Sequence, residues 1–344
     1  MALHLSHARR QRSSDLYPVQ TWLARLLARF GAPGAARGRL TILMYHRVLA
    51  VADPMRPHDI TAPTFDEQMG ALARVFNVLP LSEALTRLAA GTLPERSACI
   101  TFDDGYRDNV AIALPILQRL RLPATFYVTS GVLGDGRMFN DTVIEALREA
   151  PAGPLDLTWL GLPPTIVSDM ASRAAIAQRV IAHLKYVALP VRDEVCARMA
   201  RLAGHALPTD LMMTPEHVTL IDRAGMEIGG HTTDHVMLTA VSMNEARRQI
   251  EGNRRDLAAL TASPPRHFAY PNGRPEMDFD DDHVRIVREA GYQSAVTTAW
   301  GQAMRDDDVF RLSRCGTFDV GPGRFATRLL LHGRARDRHA PMAD

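Results

Sequence analysis

A chain of 344 residues with 46% hydrophobic and 23% charged content can hold one large domain or two ordinary ones. Its formal net charge is +2, with acidic residues interspersed among the arginines, which argues against a nucleic-acid groove. Cys99, Cys196 and Cys315 are odd in number, far apart and without a C-x-x-C pair, so neither a disulfide framework nor a thiolate zinc site is expected.

The first forty residues contain no apolar run long enough for a signal-peptide core, because His4, His7 and three arginines interrupt Met1 to Arg12. A cytoplasmic location is therefore expected. Trp22, Leu23, Leu26, Leu27 and Phe30 share one helical face, which suits a helix docked on the domain or resting on a membrane surface. There is no run of eighteen apolar residues, so no spanning segment is expected. Gly31 to Arg39 reads as a linker, which makes residues 1–38 an N-terminal segment, 39–335 a single domain and 336–344 a tail.

The apolar run Leu40 to Tyr45 predicts a buried strand. Helices at Thr64 to Phe76 and Leu81 to Ala90 follow, then a strand at Ala98 to Phe102, a helix near Asn109 to Leu120 and a strand at Ala124 to Thr129. From Gly134 to about Thr214 the alternation stops and helices are expected at Asp141 to Ala150, Ser168 to Tyr186 and Arg192 to Leu202, as an insertion. The rhythm resumes with helices at Pro215 to Ala224, Ser242 to Leu260 and Asp281 to Ala290 and strands at Met226 to Gly229, His267 to Tyr270 and Tyr292 to Thr297. Strands alternating with helices mean a parallel sheet with crossover helices, so the class is α/β with a closed, barrel-like sheet.

Asp103 and Asp104 follow directly on a predicted strand, and Gly105 lets the backbone turn away. The C-terminal ends of parallel strands are where catalytic groups gather, although an aspartate there can simply cap the next helix. His231 and His235 follow another strand, and a spacing of four puts both imidazoles on one side of a helical turn. If they meet one aspartate, the three form a ligand set on one face of a divalent ion and leave open positions for water and substrate. Two adjacent carboxylates divide the work: one binds metal and the other accepts a proton.

Thr101-Phe102-Asp103-Asp104-Gly105 and His231-Thr232-Thr233-Asp234-His235 resemble the first two motifs of the polysaccharide deacetylase family (NodB homology, carbohydrate esterase 4). Leu43-Met44-Tyr45-His46-Arg47-Val48, Ala124 to Val128 and Phe268-Ala269-Tyr270-Pro271-Asn272-Gly273 extend the resemblance over about Leu40 to Thr297. It implies a distorted barrel of about seven parallel strands with the helical insertion, and an enzyme that removes acetyl groups from N-acetylated sugars of a polysaccharide or glycan precursor. It also implies Asp103 as the general base and Asp104, His231 and His235 as ligands of a divalent metal, zinc first and cobalt or nickel as alternatives. The Asn272 amide N–H is a candidate oxyanion donor, and His46, Tyr106, Tyr270 and Pro271 are candidates for the substrate groove. The partner implied is a carbohydrate, and no protein partner is inferable.

The chain departs from the family in two places. Where the third motif usually carries an arginine that orients the base, this sequence has Ala269, so either Arg266 or another group orients Asp103, or the base is less constrained. Leu330-Leu331-His332 matches the motif that supplies a general acid, but it falls in what reads as a terminal helix. Two further readings therefore stay open: a catalytically impaired carbohydrate-binding relative of the same fold, and another His/His/Asp metal enzyme such as an iron-dependent oxygenase.

Overall fold

The computed structural model describes residues 38–317 and 321–332; the Trp22–Phe30 stripe, most of the linker and the 336–344 tail lie outside them. Among the described residues, no helix is long and apolar enough to cross a membrane. In chain order, β1 (Arg39–Tyr45) is followed by β2 (Val48–Leu49), β3 (Ile60–Thr61), α1 (Ala62–Val75), β4 (Asn77–Val78), α2 (Leu81–Ala89) and β5 (Ser97–Phe102). A π-helical turn (Asn109–Ala113) runs into α3 (Leu114–Leu120), and β6 (Thr125–Val128) follows. The insertion contains α4 (Phe139–Glu149), a hairpin of β7 (Gly153–Leu155) and β8 (Thr165–Val167), α5 (Met170–Leu184) and α6 (Leu189–Ala200). The chain then continues through α7 (Pro215–Arg223), β9 (Glu227–Gly230), α8 (Met243–Ala258), β10 (His267–Ala269), α9 (Asp281–Glu289), β11 (Ser294–Trp300), β12 (Ala303–Met304), β13 (Leu312–Gly316) and α10 (Pro322–His332).

The seven strands β1, β5, β6, β9, β10, β11 and β13 pair in parallel in that order, and β13 returns to β1, so the sheet closes as the expected barrel. Alternation along the strands divides their side chains between two faces. Leu40, Ile42, Cys99, Tyr127, Ala269, Val296 and Leu312 form one cluster together with α2. Tyr45, Phe102, Phe126 and Ile228 face the other way, toward α1, α3 and α7, with the Phe102 and Phe126 rings stacked at 4.8 Å. Glu227, the first residue of β9, accepts from the Leu81 and Ser82 N–H groups and so holds the N-terminus of α2 against the strand-start end of the barrel.

Several helix starts are set by local chemistry. Thr214 accepts from the His217 N–H ahead of α7, which has proline in its first turn, and Ser242 and Asp280 cap α8 and α9 in the same way. Asp108 does not act as a cap; its carboxylate accepts from Arg47 Nε (2.8 Å) and the Val48 N–H (3.1 Å), tying the end of β1 to the turn after β5. The insertion has its own core, including Val143, Leu147, Val180, Leu184 and Met199, and Met55 and Met237 from the surrounding loops plug into it. Buried ion pairs from Arg56 to Asp141 and Glu145 join it to the loop between β2 and β3.

Several elements depart from expectation, among them the short strands β2, β3, β4 and β12. The β7–β8 hairpin replaces what reads as turns, and β13 was not anticipated because Ser313 and Arg314 interrupt its apolar pattern. The close of β9 is sterically exact in its demands: a Cβ on Gly230 would lie 2.1 Å from Tyr292 Oη and 2.7 Å from Asn253 Oδ1. Gly230→Ala should therefore lower stability by about 1–3 kcal/mol through overpacking, read as a lower midpoint in urea unfolding.

Candidate metal centre

Asp103 and Asp104 leave the C-terminal end of β5 with different backbone conformations. The Asp103 N–H continues the ladder to Tyr45 O (2.9 Å), whereas Asp104 has φ +78° and Gly105 φ +88°. A left-handed aspartate is costly, and it turns the second carboxylate away from the first. The His loop approaches from β9, also with left-handed residues, Thr232 at φ +62° and His235 at φ +50°. His231 and His235 thus converge through a kinked loop rather than along the helical turn their spacing suggests.

The result is a cluster of Asp104, His231 and His235 whose ligand atoms all lie within 4.8 Å of one another. Both Nε2 atoms are 3.3 Å from Asp104 Oδ1, and that oxygen is buried without a satisfying hydrogen bond. His231 Nδ1 lies 2.7 Å from Ala269 O; a carbonyl can only accept, so Nδ1 carries a proton, and Nε2 faces Asp104. One carboxylate and two imidazoles with their ligand atoms facing one another are the donor set of a divalent transition metal. Burial alone would raise the Asp104 carboxyl, but the two imidazoles beside it hold it well below the ordinary range. The imidazoles diverge: burial pushes His235 down, whereas His231, also buried, is raised by Asp104 and Asp103.

Asp103 is outside this cluster. Arg314, projecting from β13 and itself fully buried, donates through Nη1 and Nη2 to its two oxygens at 2.7 Å each, with Nε donating to Thr297 O (2.8 Å). Burial works against the ionised form, but the guanidinium holds the carboxyl below its usual value. Arg314 is thus the group that fixes Asp103. Arg266 instead borders a cavity with Glu227 and His267, at the strand-start end of the barrel.

Of the groove candidates, His46 and Tyr106 line a cavity of about 210 Å³ that reaches Asp104, with Asp59, Asn140 and Gln178 on its walls. His46 Nε2 stands 3.9 Å from Asp103 Oδ2, and its side chain is 43% exposed. Tyr270 is not in the groove. It is 1% exposed, stacks on Phe279 at 3.7 Å and donates to Phe310 O, because it shares a face with Phe268, opposite to Ala269. Pro271 is buried. Asn272 is left-handed at φ +55°, its carbonyl accepts from Thr298 Oγ1, and its Nδ2 is buried without a partner. His332 ends α10, whose Phe325, Ala326 and Leu329 pack into the outer cluster with α1.

Three supporting residues escaped the sequence reading. Asn253 Oδ1 accepts from the His231 N–H (3.0 Å), and its Nδ2 donates to Val128 O and Thr232 O. Gln249, one turn earlier on α8, clamps Asp234 through both its amide atoms. Amides four residues apart on a helix face that packs on the sheet were the available signal. Arg192, on α6, donates to the carbonyls of Asp234 and His235.

The polysaccharide deacetylase family model matches residues 90–295. YxkH of Bacillus subtilis (strain 168), which carries a polysaccharide deacetylase name, is 21% identical over 287 residues, covering 83% of this chain and 72% of its own. Among solved structures, the Streptococcus pyogenes deacetylase PplD in complex with acetate aligns with a TM-score of 0.57 at 19% identity, covering 86% of this chain and 98% of that one. IcaB from Ammonifex degensii aligns at 0.54 and 19% identity, covering 87% and 98%. At such identities these structures speak for a shared barrel.

Arg314→Met should cost about 3–5 kcal/mol at neutral pH by leaving the Asp103 charge unpaired and buried. The depressed Asp103 contributes stability above the unfolded carboxylate pKa of about 3.9 and loses it on acidification. The gap between wild type and variant, measured by urea unfolding, should therefore be widest at neutral pH and narrow on acidification, first as the unpaired, buried Asp103 of the variant takes up a proton and then as the wild-type carboxylate loses its advantage.

Proposed function

The chain belongs to the polysaccharide deacetylase family and is a hydrolase of carbon–nitrogen bonds, and we propose that it removes acetyl groups from N-acetylated sugars with a divalent cation held by Asp104, His231 and His235. The observation that carries this proposal is the buried, unsatisfied Asp104 Oδ1 facing two imidazole nitrogens at 3.3 Å, beside a second carboxylate that is not a ligand. When bound, such a cation supplies Lewis acidity, polarising an acetamide carbonyl and acidifying water. Zinc suits one carboxylate and two imidazoles, with cobalt or nickel as alternatives.

The chain's own residues carry the proton transfers. Asp103 is ionised through the neutral range, and Arg314 uses only one lone pair on each carboxylate oxygen, so a further lone pair is free to take the proton of the attacking water. The water oxygen bonds to the carbonyl carbon, the Asn272 N–H is the donor assigned to the developing oxyanion, and the carbon–nitrogen bond then breaks. His46 Nε2, at the exposed edge and 3.9 Å from Asp103, is placed to give the departing nitrogen its proton, which leaves acetate and an amino sugar. The cavity reaching Asp104 seats the sugar: Asp59, Asn140 and Gln178 offer polar groups to hydroxyls, and Ile144, Ala174 and Ala177 offer an apolar wall to a ring face.

The protein should release acetate from N-acetylglucosamine oligosaccharides, stop when metal is removed by chelator and recover with added zinc. Asp103→Asn should lower kcat by about 10²–10⁴-fold, as expected for loss of a general base, with bound metal, measured by elemental analysis, unchanged. Full activity in this variant, or release indifferent to chelator, would sink the proposal.

A further inference from the structure

The His231–His235 segment departs from the sheet with two non-glycine residues in the left-handed region, and strain of that kind persists only where the surroundings hold it. The partners of its carbonyls identify those surroundings. His231 O accepts from Thr129 Oγ1 (3.1 Å), Thr232 O from Asn253 Nδ2 (2.7 Å) and Thr233 O from the Gly131 N–H (2.8 Å), all donors from the barrel's own loops and helices. The last two carbonyls are held from elsewhere: Asp234 O accepts from Arg192 Nη2 (2.9 Å) and His235 O from Arg192 Nη1 (3.3 Å).

Arg192 belongs to α6 of the insertion. It is 5% exposed, its guanidinium lies 4.7 Å from the Phe139 ring centroid, and among the described residues it forms no ion pair. A buried guanidinium whose hydrogen bonds go to carbonyls rather than to a carboxylate is expensive, and a planar fork bridging two successive carbonyls restrains the peptide between them, directly on the backbone of His235.

We infer that Arg192 is a positioning residue that sets His235 for the cation, so that the insertion completes the metal centre built by the barrel. This rests on the metal reading above. The ligand itself is untouched by changes at position 192, and outer groups that orient ligands typically matter to metal affinity.

The test is zinc affinity, measured by chelator competition on folded wild type, Arg192→Met, Arg192→Lys and Phe139→Leu, together with hydrogen exchange of the 231–236 amides in the metal-free proteins. Arg192→Met should bind zinc about 10- to 100-fold more weakly, Arg192→Lys should fall between it and wild type, and Phe139→Leu, which loosens the same packing but keeps both donors, should stay within about twofold. The loop amides should exchange faster in Arg192→Met than in Phe139→Leu. Wild-type affinity and exchange in Arg192→Met, or equal weakening by Phe139→Leu, would overturn the inference. A wild-type protein that takes up no zinc would instead defeat the metal reading, and the exchange comparison would still decide whether Arg192 holds the loop.

Discussion

Three prospective ligand atoms, Asp104 Oδ1 and the Nε2 atoms of His231 and His235, are held around one point at the C-terminal end of the barrel, and much of that end is arranged to keep them there. Left alone, such groups would turn toward water. Each is held in a different way. Asp104 is turned inward by a left-handed backbone, His231 is pinned through Nδ1 to Ala269 O, and His235 sits on a loop whose carbonyls are all occupied by donors from other elements.

The second carboxylate poses the opposite electrostatic problem. Asp103 is buried beside Asp104 and needs a countercharge of its own, or the two acids would compete for one cation. Arg314 supplies it from the last strand of the barrel, with both nitrogens of its fork engaged. Closure of the sheet is therefore a chemical requirement as well as a packing one. Without the pairing of β13 to β1, the guanidinium would have no route to the end of β5.

The insertion contributes in a different way. Its own core makes it a separate packing unit, yet charged and polar links fasten it to the barrel, among them Arg56 to Asp141 and Glu145, and Arg192 to the His loop. One side of it walls the cavity next to Asp104, and another supports a prospective metal ligand. The cavity wall and the support of the His loop thus share a scaffold, in a segment whose sequence reads as helices with no chemical signature.

Sequence by itself determined the barrel class, because alternation of apolar strands with amphipathic helices requires parallel pairing, and it picked out Asp103, Asp104, His231 and His235, because acids and imidazoles directly after such strands stand at one rim. It also carried the cue that Tyr270 faces outward, since Phe268 and Tyr270 share a strand face, but the family motif drew attention to the groove instead. Only the tertiary structure decided what orients Asp103 and what supports the loop of His231 and His235. Arg314 lies 211 positions from Asp103, and the residues that hold the His loop come from separate elements, α6 and α8. A buried arginine in a half-polar strand looks like an interruption until a carboxylate from the far end of the chain stands opposite. Partners of that kind are made by closure of the sheet, and no local pattern of residues records them.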